Sequence, residues 1–302
     1  MGAFGTILAN VLLVVGIPRR SGCKTMDFLR TRVIAFIAMY AVILQASRIA
    51  AEQVPVQHIE GVTFGFLVLR NLDGEVVAYG ELQQVIKQNQ EAKDNEEAGL
   101  VVGDLLFHFK DGSFFEEITK FTQHGKFRLV SDQVEQKGPS FKQASKRWID
   151  VRTGTITIQT FEKGKEKTVT SHLDLPDDVA NGLLLTLLKN IDPSSETTVS
   201  FLAASTKPRI LKWNISPAPE KKVKFGFITV KAQHYIVKTK IGGAAGIIAP
   251  LIGKKPPDLH VWLVKSEAPT FLEYEGPLSE DSPVWRIEIA APEHDWPKTN
   301  AE

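Results

Sequence analysis

Short runs of alternating apolar and polar residues, separated by turn dipeptides, fill the chain between Thr63 and Leu173. This alternation is typical of antiparallel strands that pack one face on a core. Asp73-Gly74 and Asp111-Gly112 are the clearest hairpin signals, because a tight turn favours residues that tolerate positive φ. Three further dipeptides repeat the signal: His124-Gly125, Thr153-Gly154 and Lys163-Gly164. The pattern predicts a β-meander, interrupted by a solvated polar loop from Gln88 to Glu97.

One helix is predicted, over Asp177 to Ile191. Pro176, Asp177 and Asp178 suit the first turn of a helix, where the dipole favours negative charge. Leucines cover more than one side of the segment, as expected for a buried helix. They are Leu183, Leu184, Leu185, Leu187 and Leu188. We therefore expect this helix to pack against the sheet or to fill one end of a barrel.

Strands resume after the predicted helix and continue almost to the end of the chain. They are predicted at Thr197 to Ala203, Arg209 to Ile215, Val223 to Val230, His234 to Lys240, Leu259 to Val264 and Val284 to Ile289. The expected fold is mainly β: an antiparallel curved sheet, or a barrel-like meander, with one buried α-helix. Residues 52–302 are expected to form a single mainly-β domain. Two β-halves around the helix at 177–191 remain an alternative.

The segment from Met26 to Ala51 has the pattern of a secretory signal peptide. Arg30 and Arg32 precede a short apolar core, Val33 to Leu44, and small or aliphatic residues follow at Ile49-Ala50-Ala51. The core is shorter than the ~20 apolar residues that span a bilayer, so cleavage near Ala51 is favoured over a retained anchor. We interpret residues 26–51 as an N-terminal signal helix and residues 1–25 as sequence ahead of the true start. Export to the periplasm or the extracellular space is expected.

Removal of residues 1–51 changes the composition that bears on function. The whole chain has 36 basic and 35 acidic residues; the remainder has 30 and 34, a net charge of about −4. No global basic field remains, so no nucleic-acid partner is expected. The only cysteine, Cys23, is also removed, which excludes disulfides, cysteine nucleophiles and thiolate metal sites from the mature chain.

The histidines and carboxylates form no recognisable catalytic or metal-binding motif. No His-x-His or His-x-x-x-His pair occurs, so no metal site is predicted. His108 and His260 lie on predicted strands, where a hydrogen-bonded or solvent-facing role is the simplest interpretation and a barrel-lining role is the alternative. Glu116-Glu117 must point to opposite faces of a strand, whereas Glu273 and Glu275 share a face. The Gly-rich and Ser-containing catalytic fingerprints are also absent, so no catalytic residue and no cofactor are predicted.

The most unusual stretch is Ile241 to Gly253 (IGGAAGIIAPLIG), which has lysines on both sides. It suggests an apolar lid, or a loop that contacts acyl chains at a membrane surface. The alternative is a glycine-rich connection packed in the core. Large rings follow it, and in a curled sheet they would line an apolar cavity, although core packing also explains them. The candidate ligand-binding residues are Ile241, Ile247, Ile248, Leu251, Trp262 and Trp285.

Three runs carry a resemblance: LPDDVANGLLLTLLKNI (175–191), KIGGAAGIIAPLIGKKPPDLHVWLV (240–264) and EAPTFLEYEGPLSEDSPVWRIEI (267–289). They resemble a group of exported bacterial proteins of unknown function, over most of the mature chain. The predicted architecture is more distantly similar to the lipoprotein-carrier proteins, in which a curved antiparallel sheet holds acyl chains against a helix. Neither resemblance transfers a residue role, so both imply only fold and export.

These patterns together favour a non-enzymatic, exported protein that binds an apolar or lipidic ligand in the cell envelope, with peripheral membrane contact. Each buried methylene of an acyl chain contributes ~0.8 kcal/mol, so a modest cavity would suffice. Two alternatives remain open. One is a structural or interaction protein without a cavity. The other is an exported hydrolase whose carboxylates and histidines meet only in the fold.

Overall fold

The computed structural model describes residues 53–87, 99–162, 164–225, 228–241, 256–279 and 282–290. Several predictions fall outside these ranges. They concern the stretch 1–25, the signal at 26–51, the polar loop at 88–97 and, after Ile241, the apolar segment to Gly253.

In the described part of the chain, eight strands precede a short helix and six follow it. The first group is β1 Thr63–Arg70, β2 Val76–Lys87, β3 Leu100–Phe109, β4 Phe114–His124, β5 Lys126–Lys137, β6 Ala144–Asp150, β7 Thr155–Glu162 and β8 Lys165–His172. The helix α1 is Leu184–Leu188. The second group is β9 Thr197–Ala203, β10 Arg209–Phe225, β11 Ile228–Lys240, β12 Leu259–Val264, β13 Thr270–Pro277 and β14 Val284–Ile289.

All of these strands belong to one antiparallel sheet, in the order β8-β7-β6-β5-β4-β3-β2-β1-β14-β13-β12-β11-β10-β9. It consists of two meanders joined where β1 pairs with β14, over Leu67 to Arg70. An ion pair of 3.0 Å between Arg70 Nε and Glu288 Oε2 crosses this junction. The predicted antiparallel sheet is therefore confirmed. Between the described edges, β8 and β9, it does not close into a barrel.

The predicted hairpin turns are confirmed. Gly74 has a φ of 89° between β1 and β2, and Gly112 has a φ of 83° between β3 and β4. Asp111 Oδ1 also accepts a hydrogen bond of 2.8 Å from the Ser113 amide, which stabilises the second turn. The other predicted turn glycines, Gly125, Gly154 and Gly164, likewise have positive φ.

The helix predicted over Asp177 to Ile191 is much shorter than expected. Only Leu184–Leu188 is α-helical, because Gly182 has a φ of 67° and the residues before it are bound to β9. Leu184, Leu187 and Leu188 are buried, which confirms the predicted burial of this segment. Among the described residues, no helix has the length and apolar character to cross a membrane.

Two side chains of the segment before α1 form hydrogen bonds with backbone groups on the outer edge of β9. The Ser200 amide and hydroxyl donate to the Asp178 carboxylate at 2.8 and 2.9 Å. Asn181 accepts from the Leu202 amide at 2.9 Å and donates to its carbonyl at 3.0 Å. Because an unpaired edge is a template for aggregation, this covering protects β9.

One predicted strand is wrong, and one strand was not predicted. The strand predicted over Val223 to Val230 is divided between the end of β10 and the start of β11. Apolar residues continue across that boundary at Val223, Phe225, Phe227, Ile228 and Val230, and no Asp-Gly or similar dipeptide marks a turn there. Strand β13 was not predicted, because a bulge at Leu272 puts Leu272 and Glu273 on the same outer face and so interrupts the alternation.

One core contains residues of both meanders and of α1 on the inner face of the sheet. Its largest fully buried side chains include Phe107, Phe115 and Phe121 from the first meander and Ile215 and Leu263 from the second. A small separate cluster of Ala232, Trp262 and Leu272 covers the outer face. The sheet therefore curves around α1 and leaves its outer face mostly polar.

Candidate functional site

A row of paired residues crosses the inner face of the first meander, and we call it the interior row. Directly paired residues of an antiparallel sheet lie on the same face. One residue of the row that belongs to the core therefore shows that the whole row lies on the inner face. Val134 is 2% exposed and belongs to the core. The row consists of Gly65, Leu82, Leu105, Glu117, Val134 and Arg147.

Open space lies over the glycines of this region. A Cβ built on Gly65, or on Gly103 in the next paired row, would meet no atom of the described chain within 4 Å. Leu82 and Leu105 are only half-buried, although both pack against the core. On the other side of the row, a Cβ on Gly80 would lie 2.4 Å from the Phe107 ring. The space therefore extends over these two rows, with Leu82 and Leu105 in one row and Gln84 and Thr119 on either side of Gly103 in the other.

A polar cluster lies at the far end of the interior row. Glu117 and Arg147 belong to the row, and Asp132 is paired with Thr119 one step along the same face. The Thr119 hydroxyl donates to Asp132 Oδ1 at 3.1 Å, and Asp132 is only 3% exposed. Within the described residues, no hydrogen bond to the half-buried Glu117 carboxylate is formed. An uncommitted carboxyl group thus faces the interior, two strands away from Arg147 in the same row.

The two carboxyl groups of this cluster hold protons more tightly than exposed ones do. Burial raises the pKa of Glu117, the charge of Asp132 raises it further, and Arg147 opposes both effects. Burial also raises the pKa of Asp132, while Arg147 and the bond from Thr119 lower it. Two like charges this deep cannot both form readily. Glu117 can therefore donate a hydrogen bond at a pH where an exposed glutamate only accepts.

The turn before α1 packs directly on this cluster. Gly182 has a φ of 67°, and a Cβ there would lie 2.0 Å from Thr119 Oγ1 and 2.9 Å from Asp132 Oδ1. Only glycine allows both the backbone conformation and the close approach. The polar cluster is thereby shielded on one side by the chain that leads into the helix.

Tyr274 of β13 faces the same interior from the second meander. Its hydroxyl donates to the Pro277 carbonyl at 2.8 Å, and the ring is half-buried against the core. Burial raises the pKa of Tyr274, and the charge of Glu117 raises it further. This electrostatic coupling indicates that the curve of the sheet brings β13 near β4. Both meanders therefore contribute to the surroundings of the interior row.

A second cluster lies on the outer face of β10 to β12. His234 Nε2 and His260 Nδ1 are 3.0 Å apart, and the His234 ring stacks on Trp262 with centroids 4.5 Å apart. Lys221 Nζ lies 3.6 Å from the centroid of the Trp262 ring. Burial lowers the pKa of His234 to about 4, and the charges of His260 and Lys221 add to this. His234 therefore stays neutral at neutral pH, so it stacks and hydrogen-bonds without charge.

The carboxylates beside this outer cluster are held by cations. Arg286 Nη2 donates to Glu275 at 3.0 Å, and its Nε lies 3.5 Å from Glu273, which is 3.8 Å from Lys221. Glu273 and Glu275 share the outer face, as predicted. No group of three or more histidine, cysteine or acidic residues that could hold a metal occurs in the described ranges. The charged groups of the outer cluster are therefore paired with one another, whereas the buried Trp262 Nε1 has no hydrogen-bond partner among the described residues.

The structure separates the predicted ligand-binding residues. Trp285 is 5% exposed on the inner face, where its ring lies 5.4 Å from Phe109 and 5.8 Å from Phe141. Trp262 lies on the outer face with the histidines. Ile241 follows the end of β11 and is half-buried. The other three candidates, Ile247, Ile248 and Leu251, lie outside the described residues.

The polar cluster of the interior row was not predicted as a site. Its one sequence signal is Glu117 at an inward position of β4, between Phe115 and Phe121. The sequence could not give its partners, because Asp132 and Arg147 join it only through the pairing of β4 with β5 and of β5 with β6. His108 is exposed and contacts Phe114, with centroids 5.6 Å apart.

A cleft of about 380 Å³ lies between the β5–β6 loop and the residues before β14. Its lining consists of Pro139, Ser140, Phe141, Lys142, Ser282 and Pro283. Its polar side chains are two serines and one lysine, and the rest of the lining is two prolines and Phe141.

No family model, no curated protein and no solved structure matches this chain. The resemblance to exported bacterial proteins and to lipoprotein carriers therefore stays a prediction from sequence.

Proposed function

We propose that this protein is a non-enzymatic binder of an apolar or lipidic ligand, held on the inner face of the sheet beside the interior row. The open space over Gly65 and Gly103, next to the half-buried Leu82 and Leu105, carries the proposal. An apolar ligand there would bury its own surface and that of the two leucines. Each methylene removed from water contributes ~0.8 kcal/mol.

The chemistry of the row suits a ligand with one polar end. Its apolar part lies along Leu82 and Leu105, and its polar end meets Glu117 and Arg147, which are the next inward-facing polar groups. A protonated Glu117 donates a hydrogen bond and Arg147 attracts an anionic oxygen. A fatty acid or a related acyl lipid fits both requirements. The predicted export signal supports the cell envelope as the place of binding.

The test is displacement of a fluorescent fatty acid from the full chain, with two variants of Gly103. Gly103→Leu puts an isobutyl group into the open space, and we expect binding to weaken at least about tenfold, the equivalent of two lost methylene contacts. Gly103→Ala is the matched control, since one methyl group leaves most of the space free. Both substitutions replace the same glycine and so restrict the backbone in the same way. The affinity of Gly103→Ala for the fatty acid should stay close to that of the wild type.

Native mass spectrometry of the same samples provides the second readout. The wild type should retain the displaced fatty acid and Gly103→Leu should not. Failure of the wild type to bind the probe, together with a ligand-free mass, would overturn the proposal and favour a structural or interaction protein whose interior is filled by its own side chains.

A further inference from the structure

The polar cluster of the interior row contains two carboxyl groups and one guanidinium. Glu117 is paired with Val134, and Asp132 with Thr119, so the two carboxyl groups are diagonal neighbours across β4 and β5. Arg147 is in turn a diagonal neighbour of Asp132 across β5 and β6. Long side chains at diagonal positions on one face lie within reach of each other. Arg147 can therefore balance one of the two carboxyl groups but not both.

Glu117 is the carboxyl group of this cluster that a ligand can reach. Asp132 is only 3% exposed, and Arg147 and the Thr119 hydroxyl, which donates at 3.1 Å, both favour its ionised form. Glu117 is half-buried and is a diagonal neighbour of Gly103, over which the open space lies. In the part of the chain that the structure describes, no hydrogen bond to its carboxyl group is formed. Glu117 therefore borders the open space with its hydrogen-bonding capacity unused.

The other ionisable groups around Glu117 are neutral or already paired. Burial raises the pKa of Tyr274, which faces Glu117 from β13, and the charge of Glu117 raises it further, so the hydroxyl stays neutral. Lys189, which follows α1, has its Nζ 2.9 Å from Glu60 Oε1. Gln84, in the row of Gly103, donates to Glu60 Oε2 at 3.1 Å. None of these described groups can therefore balance a second negative charge beside Glu117.

We propose that a fatty acid binds at the interior row together with one proton, which Glu117 and the ligand carboxylate share. The ligand carboxylate would be a third carboxyl group beside a single guanidinium. Two carboxylates at hydrogen-bond distance cannot both ionise readily, so a proton stays between them. Glu117 then donates its O–H to a ligand oxygen in a charge-assisted hydrogen bond. This proton requirement rests on the proposed function, since the acid must bind here for it to arise.

The proton comes from solvent wherever Glu117 is ionised in the empty site. Burial and the charge of Asp132 raise the pKa of Glu117, and Arg147 opposes both. Below that pKa, and above the pKa of the acid itself, the site already holds the proton, so the affinity should not vary with pH. Above the pKa of Glu117, each bound acid takes up a proton, so the affinity falls as the pH rises. A fatty alcohol adds no charge, and its binding needs no proton.

The experiment is isothermal titration calorimetry of the full chain with decanoic acid and with decanol, from about pH 6 to about pH 10. Two buffers of different ionisation enthalpy give the number of protons taken up per ligand. Glu117→Gln keeps the shape of the side chain and donates through its amide without a proton. Glu116→Gln is the matched control, because neighbouring residues of a strand point to opposite faces and Glu116 lies on the outer one.

For the wild type and Glu116→Gln, we expect the affinity for decanoic acid to fall by up to about tenfold per pH unit at the upper end of this range, with uptake of about one proton per acid. For Glu117→Gln, the affinity for the acid should stay constant and proton uptake should be absent. Decanol should bind all three proteins without proton uptake, which also shows that the site of Glu117→Gln is intact.

Two results would overturn the shared proton and leave the proposed function standing. One is binding of decanoic acid to the wild type with the same pH dependence and proton uptake as decanol, a comparison that needs no variant. The other is equal proton uptake by Glu117→Gln and the wild type. Failure of the wild type to bind either ligand is a different outcome, because it contradicts the proposed function itself.

Discussion

Glu117 occupies an inward position of β4, where the alternation of polar and apolar residues predicts an apolar side chain. Its pKa is raised by burial and by Asp132. A carboxyl group whose pKa is higher in the folded state stabilises the fold below its unfolded pKa. That contribution is lost as the pH rises through the folded pKa. The wild type should therefore lose stability between about pH 4.5 and pH 8.

Glu117→Gln removes this titration and keeps the shape of the side chain. At the upper end of that window, the free energy of unfolding of the variant should exceed that of the wild type by at least about 1 kcal/mol. This difference is smaller than the ~1.4 kcal/mol that corresponds to a shift of one pKa unit. The difference should vanish below the unfolded pKa. Glu267→Gln, in an exposed turn, is the control and should not change the pH profile. Denaturant unfolding across the pH range measures all three proteins, and parallel profiles for Glu117→Gln and the wild type would contradict the account.

Gly182 shows how one glycine positions the segment that leads into α1. Gly182→Ala should destabilise by about 3 kcal/mol or more, since it adds a clash with Thr119 and Asp132 to the strain of positive φ. Gly112→Ala has the same kind of strain but open space around the new methyl group, and should lose only about 1 kcal/mol. Thermal or denaturant unfolding separates the two. Equal losses of stability would show that the contact with the polar cluster does not contribute to the cost of Gly182→Ala.

At the scale of elements, strand β9 pairs with β10 on one side, and its outer edge is covered by the segment before α1 rather than by another strand. Asp178→Ala removes the acceptor of the Ser200 amide and hydroxyl, and leaving them unpaired should cost about 1–3 kcal/mol. It also uncovers part of the edge, so faster aggregation on mild heating is expected. Asp150→Ala, which removes a similar bond to the Thr153 amide in a hairpin turn, should not accelerate aggregation. Light scattering during heating compares them, and equal aggregation rates would refute the role of Asp178.

The elements show which local signals carry structural information. Asp-Gly and similar dipeptides located the turns of the first meander, because positive φ is a local property of these residues. The helix was overextended because its first half is bound by β9, a contact that no local pattern contains. Strand β13 was missed because a bulge interrupts its alternation. Local preference thus predicted the strands and turns, and tertiary contacts decided the exceptions.

At the scale of the whole molecule, the site depends on which strands become neighbours. Trp262 and Trp285 were predicted to line one cavity, but a strand face is assigned only by the register of the full sheet, and the two lie on opposite faces. The interior row brings Leu82, Leu105 and Glu117 together through two strand pairings, β2 with β3 and β3 with β4. The sequence could predict an apolar inner face, but not where space would remain on it.

The most direct test of the account is a crystal structure of the protein with a brominated fatty acid, in which the anomalous signal of bromine locates the acyl chain. Bromine is expected on the inner face beside Leu82 and Leu105, with the carboxylate toward Glu117 and Arg147. Bromine found only on the outer face, or an interior row closed by the protein's own side chains, would contradict it.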